Sequence, residues 1–227
     1  MTKTTRAQCV TVSAVLATAI ASFGVVIAPP AIADAACGPG GPPPGAAGKD
    51  VSVAYGQPAT LWITDTAVGI ATAQGYGEAK ILSASPLQRS ALLIDAQQDG
   101  KHQIIVDAGR EAILYAVSGC TITPVVDRQG ASFRFDPGHR RGNDDGVGCS
   151  DLGDGRRLIG LLQLRDEQDN PVMALRRTEI ELNDATATIG RSDTVPVRSD
   201  HDPAWTTASD ISCGELTMRK DGVQAPF

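Results

Sequence analysis

Apolar and polar positions along this chain change over short distances, and the dominant period is two. Val51-Ser-Val-Ala-Tyr55 alternates, Gly56-Gln57-Pro58 turns it, and Thr60-Leu-Trp-Ile-Thr64 alternates again, with Trp62 on the face opposite Leu61 and Ile63. Gly69 to Ser85 is weakly patterned, with a turn at Gly75-Tyr76-Gly77 and a strand at Lys80 to Ser83. Ala91 to Asp95, Gln103 to Val106 and Ala112 to Val117 read as strands of largely apolar sequence, and Thr121 to Val126 and Ser132 to Phe135 follow. Leu158 to Leu164, Val172 to Leu175, Thr178 to Leu182, Ala185 to Ile189, Thr194 to Val197 and Ile211 to Met218 complete the set. Gly, Asp, Asn or Pro bounds most of these runs, as turn chemistry requires. No window carries a helical period beyond one or two turns. The pattern predicts an all-β fold.

One unit recurs: an Asp-Gly turn, an apolar strand, a short polar break and a second strand. The first copy opens at Asp95-Ala-Gln-Gln-Asp-Gly100 and the second at Asp151-Leu-Gly-Asp-Gly155. Their glycines are about 55 residues apart, close to the period of a propeller blade. A third, eroded copy is expected to begin at Asp200-His-Asp-Pro-Ala-Trp205.

The spacing at Asp95 to Gln103 resembles the FG-GAP/VCBS repeat of integrin-like β-propellers, which carries D-x-D-x-D-G-x-x-D between strands. Asp95, Asp99 and Gly100 match, while Gln97 and Gln103 stand where acids are expected. In the second copy Asp151, Asp154 and Gly155 match, one residue is missing between the acids, and Leu158 replaces the last Asp. The resemblance covers about half of the chain beyond its N-terminal segment. It implies a propeller-like stack of short antiparallel blades, truncated or small, or a smaller barrel grown from the same unit, since the chain is too short for six or seven blades. It also implies calcium in the two turns, held by Asp95, Asp99, Asp151 and Asp154, because a hard cation needs several oxygens gathered by a sharp turn. No other cofactor is expected.

The ends of the chain refine this picture. Lys3 and Arg6 precede an apolar stretch from Val10 to Ala28, then Pro29-Pro30 and an A-x-A site at Ala31 to Ala33 or Ala33 to Ala35. Residues 1–33 therefore read as a secretion signal, against a retained anchor or a lipoprotein acylated at Cys37, for which Asp34 is the wrong neighbour. Residues 34–49 read as a Gly/Pro-rich linker and 50–227 as the β domain. Cys9 leaves with the signal. Cys37, Cys120, Cys149 and Cys213 remain, an even number with no C-x-x-C pair, which reads as two disulfides in an oxidising compartment. Three pairings are open. Cys120–Cys149 is preferred, tying the end of one repeat to the start of the next and leaving Cys37–Cys213.

Charge and chemistry narrow the function. Twenty basic residues face 26 acidic ones, a formal net charge of −6. Basic residues adjoin only as pairs, which disfavours nucleic acid as a partner. There is no later apolar run that could span a membrane, no G-x-S-x-G, no P-loop and no H-E-x-x-H. The densest charge lies in Asp136 to Gly148, where His139, Arg140 and Arg141 could meet an anion and Asp144 and Asp145 a cation. His201, between Asp200 and Asp202, is a second acid-flanked histidine. Trp62 and Trp205 could serve as sugar-stacking platforms or as core. The expected function is a secreted or cell-wall-associated, non-catalytic binding module with an unidentified protein or envelope ligand. The alternatives are a secreted hydrolase acting through His139, Asp144 and Asp145, and a calcium-stabilised structural domain.

Overall fold

The computed structural model describes residues 37–53, 56–136, 145–168, 170–199 and 201–226. Three antiparallel meanders of four strands follow one another along the chain. The first is β1 (Ala47–Val53), β2 (Gln57–Ile63), β3 (Ala67–Thr72) and β4 (Gly75–Lys80). The second is β5 (Ser90–Ile94), β6 (His102–Asp107), β7 (Ala112–Ser118) and β8 (Thr121–Pro124), with the short β9 (Arg134–Phe135) also on β7. The third is β10 (Asp145–Asp151), β11 (Arg156–Arg165), β12 (Pro171–Asn183) and β13 (Thr186–Pro196). After these come α1 (Pro203–Thr207), the pair β14 (Ser212–Cys213) and β15 (Leu216–Thr217), α2 (Met218–Asp221) and β16 (Val223–Gln224), which adds to the free edge of β5. The fold is all-β, and none of the sheets closes on itself.

The second sheet is the central layer, and its largely apolar strands explain why. Successive side chains on a strand point to opposite faces, so a strand buried on both sides must be apolar at every position. Leu93, Ile104, Val106, Ile113 and Tyr115 pack in one core with Leu61, Ile63, Val68 and Ile70 of the first sheet. Leu92, Ile94, Ile105 and Leu114, from the same strands, pack in a second core with Val147, Leu158, Ile180 and Ala187 of the third sheet. The Tyr115 hydroxyl donates to the Lys80 carbonyl at 3.0 Å, a polar tie from the central layer to the first sheet. Trp62 does face away from Leu61 and Ile63, yet it is fully buried and stacks on Tyr76 with ring centroids 6.3 Å apart.

The same layering corrects the expected disulfides. The bonds are Cys37–Cys120 and Cys149–Cys213, with Cα atoms 5.6 and 4.7 Å apart. Cys120 lies in the core shared with the first sheet, whereas Cys149 and Cys213 lie at the core shared with the third. Cys120 and Cys149 therefore belong to opposite sides of the central layer, and proximity along the repeat did not translate into proximity in space. Cys37 is placed beside Cys120 because Gly38 pairs with Tyr76 of β4. The Gly/Pro-rich segment is thus tied to the sheet at its start, and its last three residues, Ala47 to Lys49, open β1.

Three further expectations change. Lys80 ends β4, and residues 81–83 form no strand. Asp145 to Gly148 belong to β10 rather than to a loop. Glycine fits there because the chain after α1 crosses β10 closely: a Cβ on Gly146 would sit 2.5 Å from the Ala208 carbonyl oxygen. The supposed third copy contains α1 instead. Asp202 accepts the Ala204 N–H at 3.0 Å, and Pro203 takes the first helical position, where its missing N–H costs nothing.

Candidate functional site

Both Asp-Gly turns close the first hairpin of a meander, β5–β6 and β10–β11. Their carboxylates are used locally. Asp95 accepts the N–H groups of Asp99 at 3.2 Å and Gly100 at 3.0 Å, and Asp99 accepts that of Lys101 at 3.0 Å. Asp151 accepts those of Gly153 at 2.6 Å and Gly155 at 3.0 Å, while Asp154 pairs with Arg191 at 3.1 Å. Asp127 and Asp166 hold their own turns in the same way, each accepting from the second and fourth residues onward. Such Asx turns satisfy backbone donors that a tight loop would otherwise strand. Among the described residues no group of three or more His, Cys, Asp or Glu is placed to hold a metal ion. The two turns do meet: Arg156, just after the second, donates to the Ala96 carbonyl at 3.1 Å and to that of Asp95 in the first.

The charged-loop candidates His139, Arg140, Arg141 and Asp144 lie outside the described residues. Asp145 opens β10 opposite Leu162. His201 is exposed, Asp200 lies outside the described residues, and Asp202 is committed to capping. Backbone hydrogen bonds from Arg198 and Ala204 hold the Asp202 carboxyl below the usual range. His102 faces the Gly100 carbonyl through Nδ1 at 3.1 Å. Full burial removes Trp62 as a stacking platform, and Trp205 is 9% exposed, so it presents only an edge.

That edge opens into a cleft of about 880 Å³ at the far face of the third sheet. A small apolar cluster of Ile159, Leu161, Leu175, Val197, Trp205 and Ala208 underlies it. The cleft owes its form to an irregularity in β12. Gln163 pairs with Leu175, but the next pair is Arg165 with Pro171, so Val172, Met173 and Ala174 stand against Leu164 alone. A bulge of this kind re-aims side chains and frequently borders a site. Here it leaves Val172 and Met173 about two-fifths exposed, and Met173 and Pro171 line the cleft.

Gln163 is buried on β11 and lines the same cleft. Its Nε2 donates to the Trp205 carbonyl at 3.0 Å. Because a carbonyl only accepts, this contact fixes which end of the amide is nitrogen. Oε1 is left buried with no hydrogen-bond partner among the described residues. Across the cleft, Thr217 caps α2 through its hydroxyl, accepting from Lys220 N at 3.2 Å, and Arg219 is exposed on that helix. Neither Gln163 nor Arg219 stood out from sequence. The signal for the cleft would have been the break in alternation at Pro171-Val-Met-Ala174, followed by the Asp202-Pro203 cap that positions Trp205. No family model, curated protein or solved structure matches this chain.

Proposed function

We propose that this chain is an exported, non-catalytic binding module of the cell envelope or its surroundings, and that the cleft beside Trp205 is its binding site. The observation that carries this reading is the orphaned Gln163 Oε1. A buried acceptor without a partner costs about 1–3 kcal/mol; Oε1 is closed to solvent, so a donor brought by a ligand would meet it once the Gln163 side chain at the cleft wall shifts to admit it. The export part of the reading is supported by the signal-like N-terminus and by the two disulfides, which are what an oxidising compartment produces. Among the described residues no helix is long and apolar enough to cross a membrane. Kinship with FG-GAP/VCBS repeats is part of the same proposal. Three successive four-stranded meanders, two of them opened by an Asp-Gly hairpin, support it.

The test is binding of the purified, non-reduced chain to isolated envelopes of the producing organism. The expected result is saturable, reversible retention that Met173→Trp abolishes without lowering Tm, since Met173 is exposed and the larger ring would fill the cleft. Absence of saturable retention, or release of soluble fragments from the envelopes by the protein, would overturn the reading.

A further inference from the structure

Resting on the cleft as the binding site, we propose that its ligand is a neutral saccharide. Five features of the cleft converge on that chemistry. The unpaired Gln163 Oε1 asks for an O–H or N–H donor, and a sugar hydroxyl is such a donor once the buried amide turns towards the cleft. Arg219 makes no hydrogen bond or ion pair among the described residues, so its N–H fork is available to hydroxyl and ring oxygens. Asp210 also lines the cleft and accepts from the Ile211 N–H at 2.8 Å through one oxygen. Asp210 and Arg219 leave the lining with no net charge to favour an ion, and the chain's net charge of −6 opposes an anion. Pro171, Met173 and the edge of Trp205 add apolar surface, which suits the C–H face of a sugar ring and not a fully polar solute. The volume falls within the range of small-molecule sites.

A peptide is the less fitting occupant. An extended peptide adding as a strand would need a run of unpaired backbone donors and acceptors, whereas β12 is an inner strand whose Met173 carbonyl already accepts from Val197 N at 3.0 Å.

The experiment is calorimetric titration of the full, non-reduced chain with maltohexaose, cellohexaose, chitohexaose and mannohexaose. Hexagalacturonate and a mixed decapeptide pool serve as further probes. Saturable binding of one of the neutral hexasaccharides is expected, weakened about tenfold or more by Arg219→Ala through loss of a charged hydrogen-bond donor. Arg219 is exposed, so Tm should not change; Met173→Trp gives a second, independent block of the cleft. Preference for hexagalacturonate with a steep salt dependence overturns the neutral assignment, and binding of the peptide pool overturns the saccharide. Failure of every probe, with envelope retention still lost in Met173→Trp, overturns the saccharide and leaves the cleft as the site. Failure of both measurements removes the cleft as well.

Discussion

Replacing Cys37 and Cys120 together by alanine removes one disulfide and leaves Cys149–Cys213 whole. The bond spans a sequence separation of 83 residues. In the chain-entropy description, a loop of that length restricts the unfolded state by about 4.5 kcal/mol. For a chain of this size each kcal/mol shifts Tm by about 2–4 °C, so a fall of roughly 9–18 °C is the expected ceiling. Calorimetry reads the stability. Differential alkylation under denaturing, non-reducing conditions, mapped by mass spectrometry, reads the pairing. The expected map shows Cys149 and Cys213 unmodified. Either other pairing would strand both of those residues as thiols, so alkylation at Cys149 and Cys213 would refute the layered arrangement that places Cys120 on the opposite side of the central sheet.

The remaining predictions concern packing, the contact between the two turns, and pH. A Cβ on Gly69 would lie 2.0 Å from the Trp62 ring, so Gly69→Ala should destabilise by about 1–3 kcal/mol in denaturant titrations. Gly160→Ala, on a strand with open space at that position, should change little. Arg156→Ala should lose about 2–3 kcal/mol by separating the two Asp-Gly turns, and Arg156→Lys should not restore it, because the forked donor is gone. Acid should destabilise the fold. A hydrogen bond from Arg177 holds the Asp193 carboxyl below its usual range. Burial opposes the charged form of Glu111, but hydrogen bonds from Ser83 and Arg134 outweigh it and also leave that pKa lowered. Depressed carboxyls contribute stability at neutral pH that is lost as pH falls through their folded values, so Tm should be flat from about pH 5 to 8 and drop below about pH 4. Burial pushes the Tyr115 phenol up to about 12. The unfolded chain then releases that proton first, and stability should also fall as pH rises from about 10 towards 12.

The two Asp-Gly turns show how far a local signal reaches. Their position and the strand after each were legible, because Asp and Gly set turn geometry within a few residues. The task of the acids was not. That Asp95 and Asp151 accept N–H groups of their own turns depends on loop geometry, which spacing alone does not give. The cleft was illegible for a different reason. Gln163, Met173, Trp205 and Arg219 come from separate stretches of the chain and meet only when the end of the third sheet receives α1 and the C-terminal turn.

Periodicity by itself determined that this is a β protein. The alternating stretches at Val51 to Tyr55 and Thr60 to Thr64 carry that information because side-chain alternation is a property of each strand alone. The even number of cysteines outside the N-terminal segment likewise implied two disulfides. Tertiary structure decided which cysteines met, which tryptophan kept an exposed edge, and which buried amide was left unsatisfied. Those outcomes depend on the order in which three sheets stack, and no period or spacing along the chain encodes distance across a layer.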